Sequence, residues 1–376
     1  MHKKVKIGLI FGGRSGEHEV SLQSAQGVMG AIDREKYEIV PIGITQEGRW
    51  LAAGDPMKAL TSGEVAQSNP AALLAEPSQR GLMRLETQGQ EQALKAIEVS
   101  QIDVAFPILH GPYGEDGTVQ GLLELAGIPY VGAGVLASAV GMDKVVFKDV
   151  ARAHGLSVPA FVAVKRKEWD REPEQVVARA EAELGYPCFV KPANLGSSVG
   201  ISKAHNRAEL RQALAEAARY DRKLLVEEAI DAREIEVSVL GNDEPIASVP
   251  GEILPSAEFY DYAAKYLDAE SELLIPAPIP PEMAERIREL AVKAYLAIDC
   301  AGMARVDFLL DRQTNEVYLN EVNTLPGFTP VSMYPKLWEA TGISYPELIE
   351  RLVELALERH ADKSRSATSY EAPEER

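Results

Sequence analysis

Cysteine is almost missing from the chain, with Cys188 and Cys300 the only two among 376 residues. Far apart and without metal-type spacing, they argue against a disulfide framework or a zinc site, and read as reduced, half-buried thiols. Positive charge is scarce as well: 39 Lys and Arg stand against 57 Asp and Glu, a formal charge of −18. Such a surface argues against nucleic acid and anionic membranes as partners, and any polyanion site must be built from a few local cations. No run approaches the ~18 apolar residues of a membrane span. The opening, two lysines before a short apolar strand, is too short and polar for a signal peptide, so the expected location is cytoplasmic. What is present is globular: 46% hydrophobic and 26% charged residues, in a chain long enough for two or three domains.

The first third alternates β-branched runs with helical periodicity: a strand at 5–11, a helix at 21–32 and a strand at 37–44. That order predicts a parallel sheet with flanking helices. Residues 46–101, rich in Gly, Ala, Gln and Pro, read as a less regular insertion without nameable chemistry. A strand at 102–109 and a helix at 118–126, stopped by Gly127 and Pro129, complete an α/β domain over 1–137. A central α/β unit over 138–225 follows, with strand 224–228 leaving it. The last unit, 226–360, is α+β, with strands at 234–240, 302–311 and 316–322 and helices at 281–298 and 345–359. Residues 361–376 are polar and read as a disordered tail.

The sharpest chemical signal is a pair of strands, Met303-Ala304-Arg305-Val306-Asp307 and Tyr318-Leu319-Asn320-Glu321-Val322-Asn323. Residues two apart share a strand face, so Arg305 stands beside Asp307 and Glu321 beside Asn323. A register that pairs Arg305 with Glu321 crowds all four onto one face, whereas a one-residue slip splits them. Oxygens from Asp307, Glu321 and Asn323, completed by phosphate, suit Mg²⁺ (or Mn²⁺) better than softer metals, and two such ions would neutralise a triphosphate. The bland alternative is a solvated sheet face.

A second signal is Val190-Lys191-Pro192 followed by Asn194-Leu195-Gly196-Ser197-Ser198-Val199-Gly200, in which a strand delivers a lysine and a small-residue loop offers N–H groups to phosphate. The same loop matches G-x-S-x-G, but the chain continues as strand through Ser202, and no histidine follows in the context a hydrolase elbow needs. Gly132-x-Gly134-x-x-Ala137 imitates a dinucleotide fingerprint without its acidic strand end, and reads as a helix start leading to Met142-Asp143-Lys144. Lys144 is a phosphate contact or an ordinary surface lysine. Two polar loops after buried strands, 12–21 and 110–117, place Glu17 and His110 where ligands collect at parallel-strand ends. Glu17 grips an amine there or caps the next helix. Residues 251–268, with Phe259, Tyr260, Tyr262 and Tyr266, read as neither strand nor helix: a lid over the site or a mobile surface loop.

In order, Gly12-Gly13 to Ser21, Leu109-His110-Gly111 to Gly117, Met142-Asp143-Lys144, Val190-Lys191-Pro192, Gly196 to Gly200, Tyr260 to Tyr266, Arg305-Val306-Asp307 and Asn320 to Gly327 resemble the D-alanine-D-alanine ligases of the ATP-grasp superfamily. The resemblance covers residues 5–358 and implies the ATP-grasp fold, two subdomains sandwiching ATP behind the amino-terminal domain. It implies further that one D-alanine takes the γ-phosphate of ATP and a second D-alanine attacks the acyl phosphate, in peptidoglycan precursor synthesis. By position, Glu17 would hold the first amine, with His110 beside it, and a Glu17–Ser197–Tyr266 set would close the lid. Lys144, Lys191, Ser197 and Ser198 would meet phosphates and Lys265 the transferred one. Arg305 and the Gly327 N–H would stabilise the oxyanion. Ser332 and Met333 would receive the second carboxylate, Glu227 and Ile230 the adenine, and Glu234 the ribose. The resemblance also implies a homodimer through the amino-terminal domain.

Glu228 departs from the lysine common at that place, and Ala232-Arg233 replaces a Gly-Pro turn. Rival readings are a ligase making the depsipeptide D-alanyl-D-lactate, another ATP-grasp carboxylate-amine ligase, and a nucleotide-binding regulator without turnover. Tyr266 opposes the depsipeptide reading, and the intact Lys191, Arg305, Asp307, Glu321 and Asn323 oppose the regulator.

Overall fold

The computed structural model describes residues 3–367 and 369, except 53, 66–69, 89–92, 197–198, 255–271 and 330. Its amino-terminal layer is organised by strands buried on both faces, which forces helices onto a parallel sheet. Strand β1 (Val5–Gly12) leads through α1 (His18–Ala31) to β2 (Tyr37–Ile44), followed by β3 (Trp50–Leu51) and α2 (Pro56–Ser62). Strands β4 (Ala71–Leu73), β5 (Gly81–Gln88) and β6 (Ala93–Gln101) precede β7 (Val104–Ile108) and α3 (Thr118–Leu125). The sheet runs β3-β2-β1-β7, with β1 parallel to both neighbours. The order changes direction at β1, so the loops after β1 and β7 flank a crevice at their carboxyl ends.

Two expectations change here. Residues 46–101 are not irregular, because β4, β5 and β6 form a separate antiparallel sheet. Helix α1 starts three residues before Ser21, and Glu17 is its N-cap.

The chain next forms α4 (Val135–Met142), α5 (Lys144–Ala153), β8 (Phe161–Lys165), α6 (Arg166–Arg171), α7 (Pro173–Leu184), β9 (Cys188–Pro192), β10 (Ser202–Ala204), α8 (Arg207–Tyr220) and β11 (Lys223–Glu228). Asp143 caps α5 by accepting from the Val146 N–H, which fixes where the helix carrying Lys144 begins. The antiparallel sheet β10-β9-β11-β8 is covered by apolar residues of α7 and α8, such as Val177 and Leu214. Strand β11 crosses residue 225 and lies inside this sheet between β9 and β8.

The third sheet contains β12 (Ala232–Gly241), β13 (Ile246–Ala247), β14 (Gly251–Leu254) and β15 (Glu272–Leu274). After α9 (Pro281–Ala297) it gains β16 (Gly302–Asp311) and β17 (Val317–Asn323), in the order β15-β14-β12-β16-β17 with β13 beside β12. Helix α9 covers its apolar face through Ile287, Ala291, Ala294 and Tyr295. Residues 251–254, read as the start of an irregular lid, are strand paired to β12 and β15; the rest of that segment up to 271 lies outside the described residues.

Helices α10 (Met333–Thr341) and α11 (Tyr345–Lys363) return to the first layer, where Trp338, Leu352 and Val353 join the core of Ile7, Leu9 and Phe106. Helix α11 continues to Lys363, beyond residue 360 where the tail was expected to begin. A Cβ on Gly302 would stand 3.2 Å from backbone atoms of Gly132, and its φ is positive, so this crossing of backbones favours glycine at 302. Cys188 and Cys300 are free and fully buried rather than half-buried.

Candidate active site

The hairpin of β16 and β17 settles its own geometry. Ala304, Val306, Phe308 and Leu310 alternate into the core, so Arg305 and Asp307 point the other way. The register pairs Arg305 with Asn323 and Asp307 with Glu321, two residues away from the expected Arg305–Glu321 pairing. A shift of two keeps facial parity, so all four groups still share one face. One residue of the shift comes from a bulge, where Phe308 pairs with Leu319 and Asn320 is skipped; without it Arg305 would face Val322.

Arg305 gives Nε and Nη2 to the two Asp307 oxygens at 2.8 and 2.6 Å, and its Nε lies 3.0 Å from Glu236 Oε2. Burial disfavours its charge, yet Asp307 and Glu236 outweigh that and raise its pKa well above the usual guanidinium value. Glu236, opposite Asp307 on β12, was not foreseen, although its spacing of two from Glu234 puts both on one strand face.

A cavity of about 150 Å³ opens over this face and is shared by all three layers. Arg305, Glu321, Asn323, Gly327, Ser332 and Met333 line it from the carboxyl-terminal part, Lys144 and Gly196 from the centre, and Glu17 and His110 from the amino-terminal crevice. Asp307, Glu234, Glu236 and Glu321 line an adjoining space of about 40 Å³. The Asp307, Glu321 and Asn323 oxygens are hard donors and fit a divalent cation. Two carboxylates and an amide leave coordination positions for phosphate oxygens; no group of three or more His, Cys, Asp or Glu placed to hold a metal ion by itself is found among the described residues.

Glu17 occupies the N-cap of α1 without making a side-chain cap bond, so the capping alternative is not realised. Its Oε2 faces two glycines: an added Cβ would come within 2.8 Å on Gly111 and 3.0 Å on Gly196. The lack of a side chain at Gly111 and at Gly196 lets both backbones approach the carboxylate this closely. Ser197, Ser198, Lys265 and Tyr266 themselves lie outside the described residues.

His110 ties two layers together, with Nδ1 3.2 Å from the Leu325 carbonyl and Nε2 3.3 Å from Ser24 Oγ. The carbonyl can only accept, which makes Nδ1 the protonated nitrogen. Burial lowers the His110 pKa despite nearby Glu17, in agreement with a neutral ring. Glu115 accepts from the Gly111 N–H at 2.6 Å, and burial and Glu17 push its pKa well up. The polar loop 110–117 stands out in the sequence, but nothing there places the Glu115 carboxyl beside Glu17. Ser332 Oγ lies 2.8 Å from Thr329 Oγ1 and accepts from the Thr329 N–H at 3.0 Å, at the start of α10.

Lys144 donates to the Leu195 carbonyl at 2.9 Å and lies 3.6 Å from Glu321 Oε2, so it is not an ordinary surface lysine. Lys191, on β9 just before the phosphate-type loop in sequence, has its Nζ 2.5 Å from Glu227 Oε1. The other Glu227 oxygen is 2.7 Å from Lys148 Nζ. Burial alone would raise the Glu227 pKa, but Lys148 and Lys191 prevail and hold it at about 2. Lys148 was missed, although it stands four residues after Lys144 on one helix face. Ile230 follows the end of β11 and is half-buried.

Fold and site together define an ATP-grasp enzyme, in which Lys144 of the central unit and the oxygen donors Glu321 and Asn323 of the carboxyl-terminal sheet meet at a shared cavity. Family models described as the D-ala D-ala ligase N-terminus and C-terminus match residues 6–133 and 150–354. A D-alanine–D-alanine ligase of Thermoanaerobacter sp. (strain X514) is 56% identical over 96% of this chain and 99% of its own. Among solved structures, the D-alanine-D-alanine ligase from Coxiella burnetii has a TM-score of 0.81 at 35% identity, covering 97% of each chain. The VanG D-Ala:D-Ser ligase from Enterococcus faecalis has a TM-score of 0.82 at 39% identity, covering 94% of this chain and 100% of its own. The chain belongs to the D-alanine–D-alanine ligase family.

Proposed function

We propose that the chain joins two D-alanines at the expense of ATP, with the shared cavity as the place of reaction. The observation that carries this is the meeting of an amine-binding carboxylate, Glu17, with Arg305 and the oxygen donors Glu321 and Asn323 around one cavity. Glu17, with His110 beside it, holds the ammonium of the first D-alanine. A carboxylate oxygen of that D-alanine attacks the γ-phosphorus and the bond to the ADP oxygen breaks. The amine nitrogen of the second D-alanine, having lost a proton, then attacks the acyl carbon. The carbon–oxygen bond breaks and inorganic phosphate leaves.

Arg305 and the Gly327 N–H are assigned to the oxyanion of that second step, where preorganised donors contribute most. Ser332 and Met333 receive the second carboxylate. Lys144, Lys191, Ser197 and Ser198 bind phosphate oxygens, Lys265 the transferred group, and Glu234 the ribose. Both Glu227 oxygens being engaged by lysines, the adenine meets the backbone at the end of β11, from Glu227 to Ile230. Asp307, Glu321 and Asn323 would hold two Mg²⁺ or Mn²⁺ ions, which supply neutralisation of phosphate charge. Ser197 and Tyr266 join Glu17 in closing the site against water. We place this enzyme in the cytoplasm, as a homodimer, in peptidoglycan precursor synthesis.

The test is ADP release measured with a panel of D- and L-amino acids and hydroxy acids. Release should require both a divalent cation and D-alanine; release that ignores D-alanine but answers to another carboxylate would overturn the assignment. A second reading, with a different second substrate, draws on the D-Ala:D-Ser relative. The same panel separates the two by the product formed.

A further inference from the structure

Lys148 has no part in the chemistry described above, yet among the described residues it is the most deeply buried cation near the site, 1% exposed on α5. Its Nζ lies 2.7 Å from Glu227 Oε2 and 3.3 Å from the carbonyl of Asn320, the residue skipped by the β17 bulge. Glu227 is likewise 1% exposed, while Lys191, on its other oxygen, is 9% exposed. One buried carboxylate therefore stands between two ammonium groups, only one of which lies near a route outward.

A single carboxylate can neutralise one of these lysines, so the cluster carries a surplus positive charge. Moving Lys191 away from Glu227 toward a phosphate would strand a buried carboxylate if Lys191 were its sole partner, and stranding such a charge is strongly disfavoured. With Lys148 fixed on the opposite oxygen, Glu227 stays matched whichever way Lys191 points. Asn320 holds Lys148 from the far side and keeps it from following.

We infer that Lys148 is a positioning residue: it is the permanent counter-ion of Glu227, and so releases Lys191 to engage the nucleotide phosphates. This rests on the reading of Lys191 as a phosphate ligand. Burial lowers the Lys148 pKa, Glu227 offsets part of that, and the Lys191 ammonium adds to the lowering.

The inference predicts a particular sign of epistasis. In Lys148→Met, Lys191 becomes the only cation paired with Glu227 among the described residues and is held back. Adding Glu227→Gln removes that hold and frees Lys191 again, although a second site has been altered. The experiment is calorimetric titration of the purified enzyme with Mg²⁺ and the non-hydrolysable ATP analogue AMP-PNP, with thermal melts of each variant alongside.

Lys148→Met should weaken binding by about tenfold or more, and Lys148→Met/Glu227→Gln should recover at least about threefold of that loss. A double variant that binds no better than Lys148→Met overturns the counter-ion role, since lost packing or a lost Asn320 contact is common to both. If Lys148→Met does not fold, the double variant decides alone: affinity within about threefold of wild type supports the inference, and a loss of tenfold overturns it. Lys191→Met separates the two levels of the reading. Unchanged affinity in that variant removes Lys191 from the phosphate site, whereas weakened affinity with no recovery in the double variant refutes only the role of Lys148.

Discussion

Two buried charge clusters flank the site, and they are mirror images. Around Glu227 one carboxylate lies between two ammonium groups; around Arg305 one guanidinium lies between two carboxylates. The first has positive charge to spare and joins β9 and β11 to α5. The second has negative charge to spare and sits on the face that carries Glu321 and Asn323. In a protein of net charge −18, the sorting of phosphate from metal cannot come from the overall field. It comes from which sign is left over in each cluster, and burial makes the difference count because screening is weak there.

Altering the negative cluster should have the largest effects. Glu321→Gln removes a metal-facing charge and should lower turnover by more than about 100-fold in ADP-release assays, by analogy with losses at metal sites. Undiminished turnover at saturating magnesium would take Glu321 out of the donor set. Arg305→Lys keeps the charge but loses the bidentate grip on Asp307, so kcat should fall by roughly 100-fold with a much smaller change in the KM for ATP. An effect confined to KM would argue against an oxyanion role.

The positive cluster should show itself in pH dependence. Glu227 is held at about 2 against an ordinary 4.5, so its contribution to stability is complete above about 4.5 and is lost as the pH falls toward 2. Denaturant unfolding of wild type and Glu227→Gln between pH 7 and 3 should show the wild type losing stability below 4.5 more steeply than the variant. Parallel curves would mean the lysines do not hold the carboxylate. The smallest effect is expected at Tyr266→Phe, with a few-fold relaxation of the choice between D-alanine and D-lactate as second substrate. An unaltered product ratio would count against Tyr266 in closing the site.

The negative cluster was largely legible in the sequence, because strand parity alone places Arg305 with Asp307 and Glu321 with Asn323. Its register was not, although Val317, Leu319 and Val322 break the two-residue rhythm at Asn320, where the bulge lies. The positive cluster was less legible. Lys191 and Glu227 could be read as separate ligands, but their pairing joins β9 to β11, and Lys148 reaches them from α5. The sheet of β4, β5 and β6 escaped the reading because its strands are built mostly from Ala, Leu, Met, Glu, Lys and Arg, with few of the β-branched residues that mark a strand. The parallel order of β1, β2 and β7 was readable because strands buried on both faces leave near-continuous apolar runs.

The central claim, that a carboxylate of D-alanine is activated by phosphate in this cleft before an amine displaces it, leaves a mark on the products. With D-alanine labelled by oxygen-18 in its carboxylate, the oxygen that attacks the γ-phosphorus departs with the phosphate. Mass spectrometry of the inorganic phosphate formed should therefore find one labelled oxygen for each dipeptide made. Phosphate without label, alongside dipeptide formation, would contradict the account.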